Sequence, residues 1–207
     1  MLQIAQQSMQ SLMLTMRCNG VDVGHGTGFI VKLGNGIGLV TNRHNVTGRY
    51  QRSGKPIAAS AAIPNEIAIF HPLACDKQRF VPAWEARVEP LYAGGSIDGE
   101  RLWKEHPHYG SRVDFVLLPL TRTDGIAATP YSMTDGANIA VQPAETVSVI
   151  GFPFALSAGG RLAVWATGTV ASEPEADYND LPLIQELIHA VCQPITLFKL
   201  WPGTRPA

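Results

Sequence analysis

Gly26-Thr27-Gly28-Phe29-Ile30-Val31 is followed, after a short turn, by Gly38-Leu39-Val40-Thr41-Asn42-Arg43-His44, and these two stretches decide the expected fold. Each contains a short apolar run with β-branched residues, which is typical of a buried strand. Gly34-Asn35-Gly36 between them tolerates positive φ, so the two runs are predicted to form a hairpin. His44 then lies where the second strand gives way to a loop. A side chain at such a position is held by a rigid scaffold and still reaches the surface.

Further short runs of the same kind predict an all-β protein. The 15 prolines and 20 glycines interrupt the sequence often, as in proteins built from many short strands. With 207 residues, 45% of them hydrophobic, the chain is long enough to bury a substantial core. The other strands are predicted at 12–17, 67–70, 84–88, 115–118, 138–141, 146–150, 161–165 and 167–172, with a long loop at 92–111.

Asp114 is the second candidate for chemistry. It directly precedes the apolar run Phe115-Val116-Leu117-Leu118, so its carboxylate is expected at the mouth of a buried strand. A serine hydroxyl is a poor nucleophile at neutral pH and needs an imidazole to take its proton and a carboxylate to orient that imidazole. We therefore predict His44 as a general base and Asp114 as its orienting carboxylate.

These segments resemble the trypsin-like (chymotrypsin-fold) serine peptidases, in which histidine precedes aspartate along the chain. Gly151-Phe152-Pro153 and Gly168-Thr169-Val170 match the turn and the strand that precede the nucleophile loop of that family. The resemblance covers about residues 12–182. It implies two antiparallel six-stranded β-barrels and a peptide or protein substrate hydrolysed by acyl transfer. The sequence has no metal-ligand spacing and no phosphate-binding glycine loop, so no cofactor is predicted.

The sequence departs from the family after Pro182. No Gly-x-Ser-Gly follows, so no nucleophile is assigned, and 183–192 has the pattern of an amphipathic helix. The predicted domains are a first barrel at 11–120 with His44 and Asp114, a partial second barrel at 131–182 and an atypical tail at 183–207. Three alternatives stay open: a serine peptidase, an inactive relative that binds peptides or proteins, and a non-functional fragment produced by truncation or a shifted reading frame.

Other candidate residues are expected to be structural or solvated. Core or surface roles are expected for Ser148 and Ser172, and Cys192 is expected to be a buried or incidental thiol. Ser157 is not expected to be the nucleophile, because the glycines near it stand in the wrong place. Solvated loop or partner-facing positions are expected for His25, His71, His106, His108 and His189. His106-Pro107-His108 has no cysteine or acidic ligand at a zinc spacing nearby, so no metal site is predicted.

Charge and hydropathy restrict the expected partners and compartment. The formal net charge of -1 gives no reason to expect binding to nucleic acid or to an anionic membrane. No apolar stretch reaches the roughly 18 residues that a membrane helix needs, and the N-terminus lacks the pattern of a secretory signal. The three scattered cysteines suggest reduced thiols and a cytoplasmic location. The sequence assigns no oligomeric state and no cleavage preference.

Overall fold

A computed structural model describes residues 4–73, 83–131, 141–177, 181, 183–188 and 195–198. These residues form two α-helices of five residues each and a series of antiparallel strands. Neither helix is long or apolar enough to cross a membrane. The elements are α1 (Gln6–Gln10), β1 (Ser11–Cys18), β2 (Val21–Leu33), β3 (Gly36–Thr41), α2 (Arg43–Thr47), β4 (Glu66–Pro72), β5 (Trp84–Pro90), β6 (Lys104–Glu105), β7 (Val116–Pro119), β8 (Thr146–Gly151), β9 (Val164–Val170), β10 (Leu183–Ile188) and β11 (Ile195–Phe198).

The first of two compact units comprises the chain up to Tyr131 together with Gly151–Val164. It is built on one antiparallel sheet with the strand order β5-β4-β1-β2-β3-β7-β6. Buried side chains from five of these strands form a single core, so the ends of the strands are held on a packed scaffold. The aliphatic residues of this core that are at most 2% exposed are Leu12, Leu14, Ile30, Leu39, Val46, Ile67, Ile69, Leu91, Val116 and Leu118.

Most strand predictions in this unit are confirmed. The predicted hairpin is formed by β2 and β3, which pair from Gly28↔Thr41 to Leu33↔Gly36. The runs at 12–17, 67–70, 84–88 and 115–118 become β1, β4, β5 and β7. The predicted loop at 92–111 also holds a short 3₁₀ turn and the two-residue strand β6, which pairs with β7.

The sheet is open and is not a closed six-stranded barrel. Closure requires the first and last strands of a sheet to pair with each other. Among the described residues, β5 and β6 are instead the two ends of a seven-stranded order. The all-β class is thus confirmed, whereas the described strands do not form the closed barrels that were expected.

The second unit contains residues 132–150 and the chain from Trp165 onward. Its strands form an open sheet with the order β11-β10-β9-β8. The predicted strand at 146–150 is confirmed as β8, and the two runs at 161–165 and 167–172 are replaced by the single strand β9. The run at 138–141 lies almost entirely outside the described residues.

The prediction of an amphipathic helix at 183–192 is wrong for residues 183–188, and residues 189–192 lie outside the described part of the chain. Residues 183–188 form β10, which pairs with β9 through Glu186↔Val170 and with β11 through Leu183↔Phe198. The apolar spacing of this segment suits a helix, but β9 otherwise presents a row of unpaired backbone donors and acceptors. Tertiary pairing therefore outweighs the local periodicity, and the tail extends the sheet.

A segment that follows β8 packs with the first unit. Phe152 is 3% exposed, and its backbone N–H donates to Oγ1 of Thr27 on β2 at 2.9 Å. The guanidinium of Arg161 lies over the ring of Phe70, 3.6 Å from its centroid. A cation against an aromatic face is stabilising. The segment 151–164 is therefore tied to strands that precede it by more than 80 residues.

Replacing Gly28 by alanine is expected to destabilise the protein by about 1–3 kcal/mol, because the core has no room for the added carbon. A Cβ at this position would lie 2.7 Å from Cδ1 of Leu39, 3.0 Å from Cδ1 of Leu14 and 3.0 Å from the Val40 carbonyl oxygen. Gly36→Ala is the matched control, since nothing lies within 4 Å of its added carbon. Urea unfolding of both variants provides the measurement, and equal stability of the two would contradict this account.

Candidate functional site

His44 lies in the first turn of α2, one residue inside the start of the helix. The sequence predicted a loop after β3. The chain instead enters helix α2 at Asn42, whose extended backbone is typical of an N-cap. The helix ends after one turn because Gly48 adopts a φ of 64° and its N–H donates to the His44 carbonyl at 3.0 Å. These two boundaries fix the backbone of His44.

Both carboxylate oxygens of Asp114 contact His44. Oδ1 accepts the backbone N–H of His44 at 2.9 Å, and Oδ2 lies 2.6 Å from ring Nδ1. Asn42 strengthens this contact by donating from Nδ2 to the Asp114 carbonyl oxygen at 3.1 Å. The first N–H groups of a helix lack partners within the helix, so an anion is favourable there. The structure thus brings together the two predicted site residues, which are 70 positions apart.

This contact determines which ring nitrogen carries the proton. An ionised carboxylate only accepts hydrogen bonds, so the proton of a neutral His44 ring lies on Nδ1 and the lone pair is on Nε2. The His44 side chain is 34% exposed and that of Asp114 is 29% exposed. The pair is therefore partly shielded but accessible. It can accept a proton at Nε2, and the carboxylate then stabilises the imidazolium.

An ion pair holds the start of α2 against β6. Nε of Arg43 donates to Oε1 of Glu105 at 2.9 Å, and the two side chains are 19% and 24% exposed. Arg101 approaches the same carboxylate oxygen at 3.7 Å. Because Arg43 directly precedes His44, this contact restrains the first turn of the helix. Sequence reasoning did not identify this pair, since its members are 62 positions apart.

A hydrogen-bonded series also supports α2 from the side of β2. Asn45 donates from Nδ2 to Oγ1 of Thr41 at 2.9 Å, and Thr41 Oγ1 donates to the Thr27 carbonyl at 2.8 Å. Thr27 in turn receives the backbone N–H of Phe152. Gly26 leaves room for Asn45, since an added Cβ would lie 2.5 Å from its Nδ2. Thr27, Thr41 and Asn45 were missed as site residues. Thr27 and Thr41 are polar residues within two apolar strands, which is a signal that was present in the sequence.

No hydroxyl or thiol of the described chain is hydrogen-bonded to the His44 ring, whose one described partner is Asp114. The Ser157 hydroxyl donates to the Gly160 carbonyl at 2.9 Å, within its own loop. Ser148 lies exposed on β8, 3.1 Å from the Thr167 hydroxyl oxygen. Cys18 is a free thiol, whereas Cys75 and Cys192 lie outside the described residues. The nucleophile therefore stays unassigned.

The prediction of a solvated or partner-facing His71 is wrong. The side chain is 1% exposed on β4, and no described group is hydrogen-bonded to its Nδ1. Burial lowers the pKa of His71 to about 4; the nearby Glu89 carboxylate raises this pKa and Arg87 lowers it further. The alternation of Ile67 and Ile69 on the core face continues to position 71 because side chains two apart share one face of a strand. The expected strand, 67–70, ended two residues before the end of β4.

The remaining histidines do not form a described metal site. His25 and His108 are exposed, and His189 lies outside the described residues. Nδ1 of His106 accepts the backbone N–H groups of His108 and Tyr109 at 3.1 and 3.0 Å. Burial, followed by the effect of His108, lowers the pKa of His106. Within the described parts of the chain, no three His, Cys, Asp or Glu side chains are grouped to hold a metal ion.

No family of known proteins and no curated protein matches this chain. A functional assignment therefore depends on the residues themselves and on the geometry around His44. That geometry is a partly exposed histidine whose ring Nδ1 lies 2.6 Å from a carboxylate oxygen, at the junction of a strand and a helix.

Proposed function

We propose that this chain has the scaffold of a trypsin-like serine peptidase, in which His44 is the general base and Asp114 its orienting carboxylate. The observation that carries the proposal is the contact of one carboxylate with both the backbone N–H and ring Nδ1 of His44, at 2.9 and 2.6 Å. Such a contact restrains both the rotation of the ring and its tautomer. General-base catalysis depends on both.

The sheet topology supports the same proposal. β3 and β7 are antiparallel neighbours that pair from Gly38↔Pro119 to Thr41↔Val116. The end of β3 therefore meets the start of β7, so a residue that follows β3 and one that precedes β7 are brought together. The order of histidine before aspartate, and their positions at adjacent strand ends, agree with a trypsin-like fold.

In the proposed reaction, Nε2 of His44 takes the proton of a nucleophile as that group attacks the peptide carbonyl. The carboxylate of Asp114 stabilises the imidazolium that forms, and His44 returns the proton to the leaving amine. Acyl transfer and hydrolysis of the acyl intermediate complete the cycle. The serine peptidase class requires that the nucleophile be a hydroxyl.

A fluorophosphonate probe tests this proposal because it reacts covalently with an activated serine. Labelling of one hydroxyl, which peptide mapping identifies, together with loss of labelling in His44→Ala, would support catalysis by this chain. Asp114→Asn is expected to slow labelling by roughly 10⁴-fold, because the asparagine side chain favours the wrong tautomer. His25→Ala, a change of an exposed histidine on β2, is the matched control and should label normally. Absence of labelling from the folded wild-type protein would overturn the peptidase proposal.

One observation favours a second candidate function, that of a catalytically inactive relative which binds peptides or proteins. The ring of His44 has no described hydroxyl or thiol partner, although its carboxylate partner is in place. An extended peptide can add to an open sheet edge and gain main-chain hydrogen bonds. Saturable peptide binding without probe labelling supports this alternative. A chain that neither binds nor unfolds cooperatively supports the third alternative, a non-functional fragment.

The His44–Asp114 contact also predicts a spectroscopic signal. A proton held between Nδ1 and a carboxylate at 2.6 Å is expected to resonate far downfield in the proton NMR spectrum. We expect Asp114→Ala to abolish this signal and His106→Gln to retain it. The signal reports the pair itself and is independent of any nucleophile. A wild-type spectrum without it, recorded on the folded chain at low temperature, would show that the pair does not form in solution.

A further inference from the structure

Helix α2, which carries His44, is too short to hold its orientation by itself. It has five residues, and isolated helices shorter than about 12–15 residues are only marginally stable in water. The orientation of α2 therefore comes from contacts with the rest of the first unit. A small rotation of this turn would carry ring Nδ1 of His44 away from Oδ2 of Asp114, which lies 2.6 Å from it. The contacts that oppose such a rotation thus belong to the candidate site.

Three successive side chains of α2 contact three different parts of the sheet. Arg43 contacts β6, His44 contacts the residue two positions before β7, and Asn45 contacts the end of β3. Successive residues of an α-helix are about 100° apart around its axis, so these contacts approach the turn from different directions. The contact of His44 is the one that has to be held in place. The contacts of Arg43 and Asn45 are therefore the two candidates for fixing the direction of the ring.

Burial distinguishes these two contacts. The ion pair of Arg43 with Glu105 joins side chains that are 19% and 24% exposed, and ion pairs accessible to water contribute little to stability. Asn45 and Thr41 are 2% and 4% exposed, and Nδ2 of Asn45 donates to Oγ1 of Thr41 at 2.9 Å. A buried donor that loses its partner cannot turn to water without moving the backbone that carries it. The contact of Asn45 with Thr41 is therefore the stricter of the two.

The amide of Asn45 is confined on two sides. The Thr41 hydroxyl donates its own proton to the Thr27 carbonyl at 2.8 Å, so a lone pair of its oxygen is directed to Asn45. On another side lies the backbone of β2 at Gly26. A Cβ added there would lie 2.5 Å from Nδ2 and 2.9 Å from Cγ of Asn45. Only glycine at this position lets the amide approach the strand so closely.

We propose that Thr41 is a positioning residue for His44. It holds the side chain of Asn45, and through it the single turn of α2, in the orientation that brings ring Nδ1 to Asp114. Gly26 serves the same purpose, because it leaves the space that the amide occupies. The inference rests on the proposed function in one respect, since His44 is taken to be a base whose ring has to be held. It adds two residues to that function, neither of which carries out proton transfer.

The downfield proton signal of the His44–Asp114 contact tests this proposal in the full chain. We expect Thr41→Val, which keeps the shape of the side chain but removes the hydroxyl, to abolish the signal. Thr41→Ser restores the hydroxyl and should retain the signal. Thr121→Val is the matched control, because it removes a hydroxyl that donates to Glu89 at 2.7 Å and should keep the signal despite a loss of stability. If the two valine variants behave alike, Thr41 has no positioning role.

Gly26→Ala tests the same contact without removing a hydrogen-bonding group, and it decides the question if Thr41→Val does not fold. The added carbon displaces the amide of Asn45, so we expect loss of the signal. Gly36→Ala, whose added carbon meets open space, should retain it. Arg43→Gln should also retain it, because this variant removes only the partly exposed ion pair. Loss of the signal in Arg43→Gln, together with its retention in Gly26→Ala, would overturn the assignment.

The failure of this inference can be distinguished from the failure of the proposed function. The signal requires no nucleophile, whereas labelling by the fluorophosphonate probe does. A chain that is never labelled but loses the signal in Thr41→Val and Gly26→Ala supports the positioning role and refutes the peptidase. A labelled chain that keeps the signal in both variants supports the peptidase and refutes the positioning role. Cooperative unfolding of each variant, measured in the same buffer, confirms that folded chains are compared.

Discussion

Acidification from pH 6.5 to pH 4 is expected to reduce the free energy of unfolding through His71, by about 3 kcal/mol at 1.36 kcal/mol per pH unit. In the folded protein burial lowers the pKa of this histidine from 6.5 to about 4. Between these values the unfolded chain binds a proton that the folded chain does not bind. The stabilisation is therefore complete above pH 6.5, declines as the pH falls and is lost near pH 4.

Urea unfolding at several pH values, compared between wild type and His71→Leu, measures this effect. The comparison removes the contribution of carboxylates, which titrate in both proteins. The stability of wild type relative to His71→Leu is expected to fall towards pH 4. His25→Leu, a change of an exposed histidine, should keep the wild-type pH dependence. If the difference in free energy of unfolding between wild type and His71→Leu is constant across the pH range, the prediction is contradicted.

Replacing Glu89 by alanine is expected to destabilise the protein by roughly 3 kcal/mol or more, since hydrogen bonds to a charged group contribute about 1.5–3 kcal/mol each. Glu89 is 2% exposed on β5. Its Oε1 accepts the backbone N–H groups of Thr121 and Arg122 at 2.8 and 2.7 Å, and its Oε2 accepts the Thr121 hydroxyl at 2.7 Å. The substitution removes all three bonds at once and releases the chain after β7.

Glu85→Ala is the matched control for this variant. Glu85 is on the same strand, but its side chain is 42% exposed and pairs with Arg87 at 3.1 Å. An exposed ion pair contributes about 0–1 kcal/mol, so this variant should remain close to wild type. Chemical denaturation at neutral pH gives both values. Equal destabilisation by the two substitutions would show that the buried contacts of Glu89 have no special importance.

The parts of the fold that were predictable are those whose signals are local. The β2–β3 hairpin is encoded by an apolar run on each side of Gly34-Asn35-Gly36, and turn chemistry of this kind acts over a few residues. The tail at 183–188 was not predictable in this way. Its partner strand β9 supplies the reason for a β conformation, and that pairing is not visible in the periodicity of the tail.

The residues of the candidate site also divide into those with a local sequence signal and those without one. His44 and Asp114 were identified because each follows or precedes a strong apolar run at a strand end. The residues that support them were not identified, because the hydrogen bonds of Arg43 with Glu105 and of Thr27 with Phe152 join positions far apart in the sequence. His71 was misplaced because a polar residue at the end of an apolar run is usually read as the start of a loop. The core face of β4 extends one position beyond that run.

The position of residues 151–164 has a consequence for how the chain is synthesised and folded. Phe152 and Ala163 are 3% and 4% exposed in a unit whose last sheet strand along the chain, β7, ends at Pro119. A ribosome therefore completes every strand of this sheet, and also β8, before it delivers the residues that finish the packing around Thr27. A contact between two residues that are 125 positions apart in the sequence forms late and slowly. Until that point the apolar surface that Phe152 and Ala163 cover is exposed on the nascent chain, and such transiently exposed surface promotes aggregation.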